Sequence, residues 1–397
     1  MKTKLMAIVL FTMTSAVVAF YPKQDTALVN PVQQPSNPSI SQAKQIELVF
    51  VLDTTGSMSG MIEATKQKIW SIATNIAKAD SVPNIKIGLV AFRDRGDAYV
   101  TKLIDLSSDL DSVYAKLMDF RAGGGGDTPE SVNQALYEAV HKISWSDNSQ
   151  AYKAIFLAGD APPHMDYQDD VKYPQTIQVA QAKGITVNAI QSGADAYTKQ
   201  QWQQIASLGQ GDFFTVAQNG SAVAIATPYD KQMAELSHKL DQTRLYYGDE
   251  KTREAKRKKQ AATEKLHAAA PVSSRARRST FNASKAGEAN AVGEHDLVTD
   301  VEAGRVNLDA LAEERLPEAL RDKSLLEKEK LVEAIKEERE SLQKQIQSLA
   351  QKRSDFIRQE VEKRGGATES LDEKLVGTIR QQAKEKGFSY SDESITY

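Results

Sequence analysis

The strongest constraint on the fold is the apolar run at residues 46–53, which reads IELVFVLD and ends on an aspartate. Its apolar residues follow one another without polar alternation, which is typical of a strand buried on both faces of a parallel sheet. Similar runs recur along the chain, and segments with helical spacing separate them. Strands that alternate with helices predict an α/β fold with a doubly wound, mostly parallel sheet flanked by helices.

The same patterns give approximate bounds. The predicted strands lie at 46–53, 85–92, 99–106, 151–160, 185–193 and 212–217. The predicted helices lie at 60–80, 109–120, 129–143, 173–183, 198–207 and 228–246. The turn FRDRGDA between the second and third strands indicates a hairpin. We therefore assign the α/β domain to residues 45–247.

The amino terminus has the layout of a secretory signal peptide. Lys2 and Lys4 precede an apolar stretch, and small residues precede a cleavage position after Ala19. Residues 20–44 are rich in Pro, Ser, Asn and Gln and read as a flexible linker. The chain has no cysteine, which excludes disulfides, thiolate metal sites and a lipoprotein anchor. We expect an exported protein, periplasmic or secreted, without a transmembrane span.

The carboxyl-terminal part is helical by its pattern. Residues 248–280 form a basic helical extension or linker, and residues 281–397 form a helical region with one long helix at about 322–364. That helix carries an apolar stripe at Leu331, Ile335, Leu342, Ile346, Leu349 and Phe356, interrupted by Glu338 and Arg353. The stripe fits a coiled-coil dimer, a helical hairpin or a helix docked on the same chain. Self-association through the long helix is one of these alternatives.

Basic residues cluster at 251–259 and 275–278. The whole chain nevertheless carries 50 basic against 53 acidic side chains, so its balance does not favour nucleic acid. A solvated helix is the usual meaning of such a run. If the region at 251–278 binds anything, we expect an anionic surface.

Two aspartates mark the ends of predicted buried strands, Asp53 and Asp160. In an open parallel sheet, ligands bind beyond the carboxyl ends of strands at a topological switch point. Two neighbouring carboxylates repel each other and need a proton, a basic group or a cation. The hydroxyls of Thr55 and Ser57 stand beside Asp53, and hydroxyl and carboxylate oxygens suit a divalent cation. Mg²⁺ is the favoured cation, and Ca²⁺ and Mn²⁺ are alternatives because they prefer the same oxygen ligands.

A glycine-rich loop supplies a third element. Residues 123–131 read GGGGDTPES and open a predicted helix. Asp127 is a candidate cap for that helix, and Pro129 suits its first turn. Thr128 is then expected to project from the tip of the loop.

Together these motifs resemble the von Willebrand factor type A family with a metal-ion-dependent adhesion site, as found in bacterial secreted proteins. The family pattern of Asp-x-Ser-x-Ser, a later threonine and a later aspartate falls on Asp53, Thr55, Ser57, Thr128 and Asp160. Thr55 replaces the usual serine and keeps the hydroxyl. The resemblance covers about residues 46–245.

The resemblance also implies roles for these residues. It implies that Thr55 and Ser57 bind the cation directly, that Thr128 joins in the ligand-competent state, and that the two aspartates balance the charge. It further implies that a protein partner donates a carboxylate to the metal, as in adhesion or assembly, and that no catalysis occurs.

Two other functions remain open. Asp53-x-Thr55-Gly-Ser57 also resembles the nucleophile loop of haloacid-dehalogenase-like phosphatases, although such enzymes require a second acid where Thr55 stands. Alternatively, the long helix is the active part of an assembly protein whose metal is structural.

Two short motifs have plainer interpretations. The tripeptide at 95–97, Arg-Gly-Asp, is interpreted as a hairpin turn. His164, beside the candidate site, is interpreted as a structural or rim residue, because imidazole is not the ligand that this oxygen set calls for.

Overall fold

The sheet of this computed structural model runs through the centre of the domain that the strand pattern predicts. The model describes residues 44–126, 128–221, 225–366, 370–391 and 394–397. The expected signal peptide, nearly all of the linker and Asp127 lie outside the described residues.

The described strands form one six-stranded sheet in the order β3-β2-β1-β4-β5-β6. They are β1 Gln45–Asp53, β2 Asn84–Phe92, β3 Thr101–Ser107, β4 Tyr152–Gly159, β5 Ile185–Ser192 and β6 Gln210–Val216. All neighbouring pairs are parallel except β2 and β3, which form the antiparallel hairpin. The predicted α/β fold with a mostly parallel sheet is confirmed.

The strand order sets the position of the candidate site. The chain runs outward from β1 through β2 to β3, and then returns to place β4 on the other side of β1. The order therefore reverses between β1 and β4, and the two predicted aspartates follow these two strands. Such a switch point leaves a crevice at the carboxyl edge.

Helices cover both faces of the sheet. The helices are α1 Ser59–Ala77, α2 Leu110–Leu117, α3 Val132–His141, α4 Tyr173–Ala182, α5 Ala196–Leu208, α6 Asp230–Gln242, α7 Glu250–Ala269, α8 Val272–Asn282, α9 Glu288–Ala291, α10 Leu297–Glu302, α11 Leu325–Lys363 and α12 Leu371–Glu385. Alternate β1 side chains enter opposite cores, as the two-residue period of a strand requires. Leu48 and Phe50 pack on the α1 side, and Val49 and Val51 pack with α3 and α5.

One helix begins later than its sequence suggests. The glycine-rich loop predicts a helix from residue 129, but α3 begins at Val132 and its cap residue is Ser131. Glu130 instead forms a β-bridge with Pro163, so its backbone is extended where a first helical turn is expected. Pro129 is therefore part of the loop.

The carboxyl-terminal helices pack against the sheet domain. Helix α8 contacts α1 and α6, and α12 contacts α1 and β6. The long helix predicted at 322–364 is confirmed as α11, which contacts α6, α8 and α10. Leu342, Ile346 and Leu349 of the predicted stripe are buried with apolar side chains of α6. Of the alternatives for the stripe, the docked helix is the one present in the structure.

Charged side chains within these helices are also buried. Arg353, which interrupts the apolar stripe, is 1% exposed and lies 2.9 Å from Asp230 of α6. Arg278 of α8 is fully buried and lies 2.5 Å from Asp111 and 2.7 Å from Asp241. These pairs join the helical region to α2 and α6. Part of the basic stretch at 251–278 is therefore buried and cannot contact an anionic surface.

Residues distant in sequence complete this packing. The Asn75 side chain of α1 donates to the Thr396 carbonyl at 2.7 Å and accepts from the Thr396 amide at 2.9 Å. Lys68 of the same helix pairs with Asp372 of α12 at 2.8 Å, and both are buried. Helix α1 is thus held by residues about 300 positions further along the chain. Among the described helices, none has the length and apolar character required to cross a membrane.

Candidate metal centre

Three loops meet at the carboxyl edge of the sheet, above β1 and β4. The Gly123 amide donates to the Thr54 carbonyl at 3.1 Å, and the Gly56 amide donates to the Gly124 carbonyl at 3.2 Å. The glycine-rich loop therefore lies directly on the loop that follows β1. At the end of β4, a Cβ on Gly159 would lie 3.1 Å from Cβ of Asp53, so glycine permits this close approach.

Asp53 organises the loop after β1. Its Oδ1 accepts from the Thr55 amide at 2.8 Å and from the Thr55 hydroxyl at 2.7 Å. The Thr55 and Ser57 hydroxyl oxygens lie 3.4 Å apart. Since the Thr55 hydroxyl donates its hydrogen bond to Asp53, the lone pairs of its oxygen remain available to another group. Asp53 and Thr55 are buried, and Ser57 is exposed.

The second oxygen of Asp53 lacks a partner. Oδ2 is buried and receives no hydrogen bond from any described residue. Burial raises the pKa of this carboxyl from 3.8 to about 7, the bonds from Thr55 lower it, and Asp160 raises it through its charge and lowers it through its backbone amide. A buried carboxylate oxygen without a donor is costly, and a cation is one way to compensate it.

Asp160 follows β4 and is partly exposed. Its Oδ2 accepts from the Gln218 side-chain amide at 2.7 Å, and the same amide nitrogen lies 3.1 Å from the Ser57 carbonyl. Gln218 comes from the loop after β6, so a fourth segment reaches the edge. The sequence gives no motif for this residue, and its role follows only from the fold.

Thr128 is exposed in the glycine-rich loop, two residues before Glu130. That loop contacts the Asp53 loop, because a Cβ on Gly125 would lie 2.8 Å from Cβ of Thr55. The structure therefore brings Asp53, Thr55, Ser57 and Asp160 together and places the loop of Thr128 against them.

Glu130 is an acidic residue that the sequence interpretation overlooked. It is 3% exposed, and its Oε2 is buried without a hydrogen-bond partner among the described residues. Burial raises the pKa of Glu130 from 4.5 to about 9, and the nearby Asp53, Asp94, Asp97 and Asp160 raise it further. Its acidic neighbours come from three separate segments, so no local motif could have indicated it.

The two short motifs have structural roles. Arg95 lies 2.9 Å from Asp169 and 2.7 Å from Asp170. Asp97 accepts from the Gly125 amide at 3.1 Å and therefore supports the glycine-rich loop. Both charged side chains of the Arg-Gly-Asp tripeptide therefore have partners within the same chain.

His164 is buried beside Glu130, whose carbonyl accepts a hydrogen bond from the His164 amide at 3.0 Å. Its ring stacks on Tyr167 with the ring centroids 3.9 Å apart, and its Nδ1 lies 2.7 Å from Asp166. Its Nε2 lies 3.3 Å from Asp94, which accepts from the Tyr167 hydroxyl at 2.8 Å. These contacts agree with a structural role.

The donor set fits a hard divalent cation. It combines carboxylates with neutral hydroxyls, which are oxygen ligands of the kind that Mg²⁺, Ca²⁺ and Mn²⁺ prefer. Within the described ranges, no group of three or more His, Asp or Glu side chains is arranged to hold a metal ion. A cation at this edge would therefore depend on hydroxyl oxygens as well as on carboxylates.

Comparisons with known proteins agree with this architecture. Residues 47–228 match the family model described as von Willebrand factor A domain. The chain is 39% identical over 117 residues to von Willebrand factor A domain-containing protein 7 of Mus musculus, a match over 29% of this chain and 12% of the relative. It is 27% identical over 127 residues to alpha-protein kinase vwkA of Dictyostelium discoideum, over 32% of this chain and 20% of the relative.

The chain therefore spans only a small part of the length of these curated relatives. Among solved structures, the SpRpn10 VWA domain aligns with 44% of this chain and 89% of its own, with 14% identity and a TM-score of 0.34.

Proposed function

We propose that the von Willebrand factor A domain at residues 47–228 binds a divalent cation, and that the cation captures an acidic group of a protein partner. The proposed ligands are Asp53, Thr55, Ser57, Thr128 and Asp160. The observation that carries the proposal is the buried Asp53 oxygen without a hydrogen-bond donor, beside two hydroxyls and near a second carboxylate. Mg²⁺ is the favoured cation.

Each proposed ligand would have a distinct part in binding the cation. Asp53 orients the Thr55 hydroxyl by accepting its hydrogen bond, which leaves the lone pairs of the hydroxyl oxygen free to bind a cation. Ser57, which is exposed, and Thr128, which is exposed in the facing loop, would complete the hydroxyl set. The bound cation would supply a positive charge that only part of this oxygen set neutralises, so a carboxylate from a partner is an attractive additional ligand.

Von Willebrand factor A domains generally mediate protein–protein interaction, and we propose a non-catalytic role here. In a phosphatase Asp53 would attack a phosphate, and a neighbouring lysine would help to bind it. No lysine among the described residues forms a hydrogen bond or ion pair with Asp53. We also propose that the protein acts after export, on the basis of its amino-terminal signal pattern.

Calorimetric titration with Mg²⁺ and Mn²⁺ tests the cation site. We expect one saturable site in the wild type, none in Asp53→Ala, and at least about tenfold weaker binding in Ser57→Ala. Ser59→Ala is the matched control, because Ser59 is an exposed serine of the same segment outside the ligand pattern. Equal binding by wild type and Asp53→Ala, or no binding by either, would contradict the site.

Capture of partners from envelope extract tests the second step. We expect a partner to be retained with Mg²⁺, and to be lost with a chelator or with Thr128→Ala. Retention that resists both changes would show that the partner binds elsewhere. In that case the metal would be structural, and the helical region would be the next part to test.

A further inference from the structure

A cavity separate from the candidate metal centre lies between α7 and the segment at 316–321. It has a volume of about 520 Å³ and is bounded by the first turns of α7, by the connection from α6 and by residues 316–321. None of the five proposed cation ligands lines it. Its volume is in the range of pockets that bind small molecules.

The walls of this cavity are tied together by hydrogen bonds. The Gly248 amide donates to the Arg315 carbonyl at 2.9 Å. Arg253 Nη1 donates to the Glu314 carbonyl at 3.0 Å, so a side chain of α7 reaches the opposite wall. The floor includes Tyr246, which is 8% exposed. The space is thus a partly open depression whose walls are held together by the fold.

Positive charge predominates around the cavity. Arg253, Lys256 and Arg257 follow one another at helical spacing on α7, and Arg321 lies on the facing segment. Glu250 also lines the space, but it is engaged by Arg253 at 2.8 Å and by Arg257. Glu318 is the other acidic residue of the lining. The remaining balance is positive.

Several donors of this lining have no partner. The Lys256 ammonium forms no hydrogen bond or ion pair with a described residue, and it lies 5.5 Å from the Tyr246 ring centroid. Arg321 uses only Nε, which donates to the Leu316 carbonyl at 3.2 Å, so its terminal nitrogens bind no described residue. Nε of Arg253 is buried and also without a partner. Burial lowers the pKa of Lys256, and the attraction of the nearby Glu294 offsets this only in part.

We propose that this cavity binds a small soluble anion that carries two or more carboxylate or phosphate groups. One acidic group could pair with Lys256 on α7 and a second with the guanidinium of Arg321 across the space. The tyrosine and the aliphatic part of the lining would cover the carbon skeleton of the anion. A recessed site of this volume favours a small molecule over a membrane surface, although both offer the same acidic groups.

Titration calorimetry on the full chain with citrate and with pyrophosphate tests the proposal. Both probes chelate divalent cations, so the protein and the buffer are kept free of metal. We expect saturable binding with one site, weakened about tenfold or more in Lys256→Gln and in Arg321→Gln. Both variants should fold, because neither removes an ion pair with a described residue, and Arg321→Gln removes one hydrogen bond, from Nε to the Leu316 carbonyl.

Lys258→Gln is the matched control. Lys258 stands on the same helix, its side chain is 77% exposed, and it does not line the cavity. We expect it to bind both probes as the wild type does. An equal loss in Lys258→Gln would show diffuse attraction to a basic helix and overturn the proposal. So would the absence of saturable binding, or binding to vesicles of anionic lipid without binding of either soluble probe.

Discussion

Replacing Asp53 by asparagine should stabilise the metal-free protein at alkaline pH. The folded state raises the pKa of Asp53 from 3.8 to about 7, mainly by burial. Between these pH values the unfolded chain has released its proton while the folded protein still holds it. This group therefore lowers the free energy of unfolding as pH rises from about 4 to 7, and its effect is constant above that range.

The magnitude follows from the pKa difference. A shift of about three units at about 1.36 kcal/mol each corresponds to about 4 kcal/mol of lost stability near pH 8. Asparagine cannot ionise and keeps an oxygen for the two bonds from Thr55. Its amide would occupy the position of Oδ2, where an unpaired donor costs about 1–3 kcal/mol. We expect a net gain of about 1–3 kcal/mol near pH 8, and a net loss of about 1–3 kcal/mol near pH 4, where the cost of the unpaired amide remains and the charge penalty is absent.

Urea unfolding followed by tryptophan fluorescence measures this effect. Trp70 and Trp202 are fully buried in the sheet domain and report its unfolding. The comparison uses chelator at both pH values, and then excess Mg²⁺ near pH 8. If the proposed cation binds, it should stabilise the wild type and leave Asp53→Asn unchanged.

Asp147→Asn is the control, because Asp147 is an exposed aspartate of the same domain. We expect it to change stability little at either pH. If Asp53→Asn destabilises the metal-free protein equally at both pH values, burial does not penalise the Asp53 charge, and the reasoning is refuted.

Three further changes have expected outcomes. Gln218→Ala removes the amide that donates a hydrogen bond to Asp160. Since this frees the Asp160 oxygen, we expect Mn²⁺ to bind a few-fold more tightly by calorimetry. Arg278→Met leaves Asp111 and Asp241 buried with less compensation, so we expect a loss of about 3–5 kcal/mol by urea unfolding. Truncation after residue 247 uncovers the apolar faces of α1 and α6, so we expect a fragment that binds a hydrophobic dye and aggregates.

Each of these has its own check. Gln242→Ala, an exposed glutamine of α6, should leave Mn²⁺ affinity unchanged, and weaker binding in Gln218→Ala would mean that the amide supports the site. Arg275→Met, on the same helix as Arg278, should cost much less, since Arg275 forms no ion pair with a described residue. A monomeric fragment with a cooperative unfolding transition would show that the sheet domain does not need the helices.

The sheet and its switch point could be predicted from the sequence because they depend on local patterns. Buried strands have a continuous apolar composition, and a strand that ends on an aspartate indicates where the carboxylate lies. The hydroxyls beside Asp53 belong to the same short segment, so they were also predictable. Whether the five proposed residues bind a metal stays a prediction.

Other features depend on contacts between distant segments. Glu130 was read as part of a helix, because a bridge to Pro163 cannot be seen in the local sequence. Arg278 was interpreted as part of a basic linker, and Arg353 as an interruption of an apolar stripe. Each is buried because a carboxylate more than 30 positions away meets it, and charge patterns along the chain do not reveal such partners.

The contact between Asn75 and Thr396 has a consequence for the synthesis of the protein. The first helix after the Asp53 loop cannot complete its packing until a residue 321 positions later has left the ribosome. Part of the apolar surface of the early strands therefore stays exposed to solvent during synthesis. Contacts of such long sequence separation also form slowly. We expect nascent chains that lack the last helices to remain protease-sensitive at α1, and to be the species on which chaperones act.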